Sequence, residues 1–476
     1  MDLSDFINQL QMPMANKEQK QDKQEENKQE ERKQEERKQE ENKQDKQDKQ
    51  DKEEKKQDKQ DKEEKKQENK KVKIVLVTTH TNQVNGYSKV VTHLIQQLTK
   101  NDWIQITHFG TQKLVNGDLG RTIHPSVKLI DASALEKDKQ AGFAFAELPS
   151  VILTEKPDIV LIYNDLSIIC SYIEHIRKAI ERRPRIWAYV DLLYPGAPSN
   201  MIDILNRDVE RIFCFSSSWK DCLKSQGITR PVNVMPHGLD TSLFRSIPRD
   251  LARQTLGLPK EVFMFTSLNK NMPRKRLDLL IISFVKLMIR FPLKPVFLLI
   301  VADKGERGGY SLFDIFAREL KREGGTVEQF GNRLLITSKD TCYKDEDINL
   351  LYNCGDVGVS CAEGEGFGLC TFEQMGVGIP QIVPDIQGYT EYCHSRHSLI
   401  IPPKLRYYIP QSHQPVTGEA CIVDPEDVSK AMERYLFDEP LRQLHGRLGK
   451  ETVMKYTWEK AVEPLIKRLR CIHDDE

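Results

Sequence analysis

From Val72 onward, runs of consecutive apolar residues alternate with stretches whose apolar positions recur every three to four residues. VKIVLVTT (72–79) is a continuous apolar β run, the pattern of a strand covered on both faces of a parallel sheet. The polar loop HTNQVNGYS follows it, and KVVTHLIQQLTK then takes up the helical period. WIQITHF, DIVLIY, RIWAYV and RIFCFS are the next strands predicted, separated by turns or by helical segments such as IICSYIEHIRKAIERR. VNVMPHGLD leads into the polar, proline-containing TSLFRSIPRDLARQTLGLP, where a domain boundary is expected. A second cycle opens at VFMFTSL, with the loop NKNMPRKR, the helix LDLLIISFVKLMIRF and the strands PVFLLIVAD, RLLITS, DVGVSC and PQIVPD. Such alternation predicts an α/β protein of doubly wound sheets. Two of them in tandem leave a cleft, with ligands expected outside the C-terminal strand ends.

The segment before Val72 follows neither pattern. Between Lys17 and Lys71 there is no apolar or aromatic residue, and 20 Lys or Arg stand against 20 Asp or Glu. Such a segment has nothing to bury against the entropy cost of a core. Its repeats run in five-residue steps (QEENK, QEERK), and QDKQDKEEKK at 47–56 returns unchanged at 57–66. That period advances about 500° around a helix, so no apolar seam forms. A disordered polyampholyte and a solvated single helix held by Glu–Lys pairs both remain open for this arm, residues 1–71. Ahead of the repeats, Leu3, Phe6, Ile7 and Leu10 have helical spacing. A short amphipathic helix or a frayed start fits there, and a protein partner for residues 1–14 is one use of such a face.

The chain's formal net charge is zero, which argues against bulk nucleic-acid binding. The ten cysteines include no CxxC pair and do not cluster with histidines, so zinc is not expected and reduced core thiols are. No basic-then-apolar leader and no membrane-length apolar run is visible, so a soluble, cytoplasmic protein is expected.

The densest chemistry lies in AEGEGFGLCTFEQMGVGIP, Ala362 to Pro380. DVGVSC reads as a strand, AEGEGFG as the loop and LCTFEQMGVG as the helix. The backbone N–H groups of Gly366, Phe367, Gly368 and Leu369 then point from a helix N-terminus into the cleft, an anion site suited to phosphate. Glu373, in the first turns of that helix, suits a vicinal diol such as a ribose through charge-assisted hydrogen bonds.

Glu365 and Glu373, with seven residues between them in EGFGLCTFE, resemble the signature of the retaining glycosyltransferases of family 4, which have the GT-B fold. GVGIPQIVPDIQGYTEY follows in the familiar place. The glycine loop QVNGYS, NVMPHGLDTSLF, IVDPEDVSKAMERYL and KYTWEKAV extend the resemblance over 72–473. It implies two Rossmann-like domains facing across a cleft: 72–245 on the acceptor side, joined by a C-terminal helix at about 458–473, and 246–457 on the nucleotide-sugar side. By the same resemblance Glu373 binds the ribose, Glu365 contacts the donor sugar near its reacting carbon, and the loop N–H groups hold the diphosphate. Glu363 falls outside the spacing. The family's Arg and Lys after the first strand of the second domain correspond to Lys270 and Lys275. Lys270 keeps the charge but loses the bidentate fork of arginine, for which Arg274 is a candidate substitute. Gly86 and Tyr87 are expected to face the donor phosphate and the acceptor from the first domain.

Where family members often place a polar residue after a middle strand, WAYVDLLYPG offers Asp191, which fits a sugar-hydroxyl acceptor and a turn-forming residue equally. His80, His237 and His394 are read as structural. The acidic triplet at 345–347 reads as a helix start rather than a metal site, so neither cofactor nor metal is expected beyond the nucleotide sugar. The function implied is transfer of a sugar from a nucleotide-activated donor, with retention, to an acceptor (glycan, lipid or protein) that no motif names. The alternatives are another GT-B enzyme, such as a phosphorylase or nucleotide-sugar epimerase, and a catalytically silent scaffold.

Overall fold

The computed structural model describes residues 71–115, 118–137, 141–302, 309–337, 343–410 and 417–475. The charged arm and the amphipathic segment at 3–10 lie outside them.

Seven parallel strands make the first sheet, in the order β3-β2-β1-β4-β5-β6-β7. They are β1 (Val72–Thr79), β2 (Ile104–Thr111), β3 (Lys128–Asp131), β4 (Ile159–Asp165), β5 (Arg185–Asp191), β6 (Arg211–Cys214) and β7 (Val232–Val234). The second sheet is also parallel, in the order β10-β9-β8-β11-β12-β13. Its strands are β8 (Phe263–Leu268), β9 (Val296–Val301), β10 (Leu334–Ile336), β11 (Val357–Val359), β12 (Gln381–Pro384) and β13 (Ser398–Ile401). An antiparallel hairpin, β14 (Leu405–Ile409) and β15 (Gly418–Ile422), stands apart from both. The strand order reverses between β1 and β4 and between β8 and β11, which opens a crevice at the C-terminal ends of each sheet.

Five helices position the site: α1 (Gly86–Leu98), α2 (Arg249–Thr255), α3 (Asp345–Asn353), α4 (Leu369–Gly376) and α5 (Trp458–Asp475). The expectation that the helix after β1 begins near Lys89 is corrected by the structure. Asn85 is the N-cap, its side chain accepting from Ser88 N–H, so Gly86 and Tyr87 lie in the first turn and not in the loop. IICSYIEHIRKAIERR stays helical only to Ala179; Ile180 turns extended and buried, and Pro184 bars a helical Arg183. The acidic triplet does start a helix, with Asp345, Glu346 and Asp347 in the first turn of α3. Strands β3, β7, β13 and the hairpin were not expected; each is five residues or shorter, too short to leave a clear pattern in the sequence.

Trp458, Ala461, Val462, Leu465, Leu469 and Ile472 of α5 share one hydrophobic cluster with β1 and α1. Leu239 N–H donates to Tyr456 O (2.7 Å), and a Cβ at Gly238 would overlap Trp458, so the chain returns to the first sheet by close backbone packing. No helix among the described residues is long and apolar enough to cross a membrane.

Candidate active site

The residues singled out in the sequence come from opposite sheets and meet at the crevice. From the second sheet, a single 3-10 turn after β8 (Pro273–Lys275) delivers two cations to one carboxylate. Arg274 Nη1 lies 3.2 Å from Glu365 Oε2, and Lys275 Nζ contacts Glu365 Oε1. Glu365 is 6% exposed. Burial pushes its carboxyl up, but Lys275 and Arg274 together outweigh that and hold it below the ordinary carboxylate range. Lys275 moves down, because burial and the like charge of Arg274 prevail over Glu365. Lys270 is exposed on the same loop, so Arg274 is the side chain that partners Lys275 on Glu365.

The glycine loop is pinned from the first sheet. Trp219 Nε1 donates to Gly366 O (2.8 Å), and a Cβ at Gly366 would overlap Asp191 Oδ1. Gly368 caps α4 at φ +81°, a left-handed conformation suited to glycine. Phe372 N–H, bonded to Gly368 O (3.1 Å), is the first to donate within α4, so the preceding N–H groups face out of the helix start. Leu369 is partly exposed there, opposite Gly86, while the Phe367 ring is buried against His237 (4.6 Å between centroids), Phe372 and Tyr392. His237 is thus core packing, and burial drives its pKa down to about 3.

Glu373, 5% exposed, is occupied. Lys89 Nζ reaches both its oxygens (3.1 and 3.0 Å) and Tyr352 Oη donates to Oε2 (2.7 Å). Asp345 is a second counter-charge for Lys89 at 3.6 Å, and Arg121 binds that carboxylate bidentately at 3.0 and 3.1 Å. Burial disfavours every charge here, yet the two carboxylates outweigh it and raise the Lys89 pKa. Sequence reasoning missed Lys89 and Arg121. The available signal was a lysine in the first turn of α1, placed against the helix dipole.

Glu363, outside the motif spacing, is 4% exposed and ties three elements together. It accepts from Tyr407 of the hairpin (2.6 Å) and from Tyr194 (3.3 Å), with Arg276 at 3.5 Å. Its work is structural.

On the first-sheet side, Tyr87 Oη stands 2.9 Å from Asp165 Oδ1 and 2.8 Å from Asp191 Oδ2. The two aspartates are register partners at the ends of β4 and β5. Asp165 occupies the N-cap position of the following helix without capping it, its carboxylate being engaged by Tyr87. Asp191 Oδ1 is buried with no hydrogen-bond partner among the described residues.

The arrangement thus offers a helix N-terminus with two adjacent cations, a carboxylate held by those cations, and an acidic pair facing them. Among the described residues no group of His, Cys, Asp and Glu side chains is arranged to hold a metal.

No family model matches the chain. Over 162 residues it is 26% identical to the lipopolysaccharide core biosynthesis mannosyltransferase LpsB of Rhizobium meliloti (strain 1021), across 34% of this chain and 42% of that protein. The chain spans less than half the length of the curated relatives it matches. Sucrose-phosphate synthase from Thermosynechococcus elongatus is similar in structure, with a TM-score of 0.65 at 17% identity over 85% of this chain and 100% of that one. Anabaena HepE in complex with UDP and glucose gives 0.61 at 14% identity, over 84% and 100%. These likenesses show the fold, the two-domain GT-B architecture of glycosyltransferases.

Proposed function

We propose that the protein is a glycosyltransferase that takes a sugar from a nucleotide-activated donor and passes it, with retention of configuration, to an acceptor hydroxyl. The observation that carries this reading is the convergence of Arg274 and Lys275 on Glu365 beside the N-terminus of α4. A departing nucleoside diphosphate gathers negative charge, and fixed cations with free N–H groups stabilise it most as that charge forms. Glu365 holds Arg274 and Lys275 in place and lies next to the sugar they activate. In this reading Glu373 takes the ribose hydroxyls, so an arriving nucleotide shares or displaces Lys89. The mannosyltransferase relative and the UDP complex of HepE support a nucleotide-sugar donor.

A thermal-shift panel of UDP, GDP and their sugars tests the reading. At one hundred times its dissociation constant the true ligand should add about 2.7 kcal/mol of stability. If no nucleotide or nucleotide sugar shifts the transition, the reading fails.

The division of labour between the two glutamates is open to calorimetry. Glu373→Gln should weaken UDP and UDP-sugar alike by about 1.5–3 kcal/mol, the usual worth of a hydrogen bond to a charged group. Glu365→Gln should leave UDP affinity near wild type and depress turnover. Equal UDP affinities in the two variants would remove the assignment.

A further inference from the structure

The acidic pair on the first-sheet side is bridged by a single hydroxyl. A phenol carries one proton, yet Tyr87 Oη lies within hydrogen-bond distance of Asp165 Oδ1 (2.9 Å) and of Asp191 Oδ2 (2.8 Å). Tyr87 donates to one carboxylate. The other contact is a hydrogen bond only when the second carboxyl is protonated and donates to the phenol oxygen. Like charges opposed on neighbouring strands are otherwise destabilising, and these two are direct register partners.

We infer that Asp165 and Asp191 hold one proton between them across the Tyr87 hydroxyl, and that Asp165 is a positioning residue for Asp191, which takes the proton of the acceptor hydroxyl. The inference rests on the sugar-transfer reading for its second half only. Once the shared proton is lost, Asp191 is ionised, with Tyr87 donating to it. Its Oδ1, buried without a partner against Gly366, is the oxygen free to act once the cleft admits the acceptor. The acceptor O–H bond then breaks, and the oxygen's electron pair forms the bond to the anomeric carbon on the face from which the diphosphate departs, which retains the configuration. The bond from that carbon to the diphosphate breaks with its electrons leaving on the diphosphate. The proton goes to Asp191 and is released to water with the products.

The surroundings agree. Asp191 is faced by Tyr87 of α1, by Asp165 and Tyr163 of β4, by Tyr189 of its own strand, by Arg274 after β8 and by Glu365 of the glycine loop. Burial pushes both aspartates up, and for Asp191 the charge of Asp165 adds to it, reaching about 7. The folded chain therefore keeps a proton that the unfolded chain has lost above the ordinary aspartate range. This group makes stability fall as pH rises from there through about 7.

Infrared spectroscopy of the full chain without ligand tests the first half, because a neutral carboxyl absorbs apart from carboxylates. Wild type should show a buried-acid band from about pH 5, where free aspartates are ionised, that disappears near neutrality. Asp191→Asn should abolish it, and Asp165→Asn should move its loss to lower pH. Absence of the band, or an unchanged titration in Asp165→Asn, overturns the shared proton. If Asp165→Asn does not fold, as judged by circular dichroism, Tyr87→Phe replaces it: removing the bridging oxygen must also move the band. The second half is read from the pH dependence of transfer. The acidic limb of kcat should follow the infrared titration in wild type and in Asp165→Asn, with UDP affinity unchanged between the two. A limb that stays put while the band moves removes Asp191 as proton acceptor and leaves the donor reading untouched.

Discussion

Lys275→Ala is expected to slow sugar transfer on the order of 10²-fold, the usual loss when one preorganised electrostatic stabiliser is removed. Lys270→Ala is expected to cost far less. Lys275 is nearly buried and touches Glu365, whereas Lys270 is exposed on the loop after β8. The effect should fall on kcat rather than on UDP affinity, because the charge that Lys275 meets develops as the diphosphate departs. Steady-state kinetics with both variants, each checked for a wild-type unfolding midpoint, decides the matter. A Lys270→Ala enzyme more damaged than Lys275→Ala would mean that the loop changes its arrangement when donor binds. Lys275→Arg is an informative third variant, since it keeps charge while crowding Arg274.

Arg253→Met is expected to destabilise the protein by ~3–5 kcal/mol, the range for breaking a buried ion pair from one side. Arg253 is 0% exposed. Its guanidinium donates to Asp356 Oδ2 (2.8 Å), Cys354 O (2.8 Å), Lys260 O (2.8 Å) and Val262 O (2.9 Å). Asp356 in turn accepts from Met264 N–H (2.7 Å) and Arg249 (2.6 Å), so α2 is fastened to the approaches of β8 and β11. Methionine fills much of the volume but leaves three carbonyls and a carboxylate oxygen without this donor. Urea unfolding followed by fluorescence measures the loss. A change below about 1 kcal/mol, within the usual range for surface substitutions, would show that water or Arg249 takes over these contacts.

The long apolar runs at β1, β4, β5, β8 and β9 were legible because both faces of a parallel strand are covered, and burial of that kind leaves a local imprint. The glycine loop and Glu365 and Glu373 were legible because glycine density, carboxylate spacing and the turn into α4 are all features of adjacent residues. The helix start at Gly86 was misplaced by three residues, since Asn85 caps through a side-chain contact that periodicity does not register.

What only the tertiary structure decided are the contacts between segments hundreds of residues apart. Lys89 and Glu373 are 284 positions apart, and Arg121 and Asp345 are 224 apart, so no local pattern could pair them. Asp165 drew no reading of its own from the sequence, and Asp191 read as either a turn former or a hydroxyl acceptor. Parallel pairing of β4 with β5 set them opposite each other, and Tyr87 arrived from α1 to bridge them. The sequence by itself determined which strands could be buried and which loop could hold an anion, because those depend on neighbours along the chain. Which charges face one another across the cleft depends on strand order and register, and these are set by packing of the whole sheet.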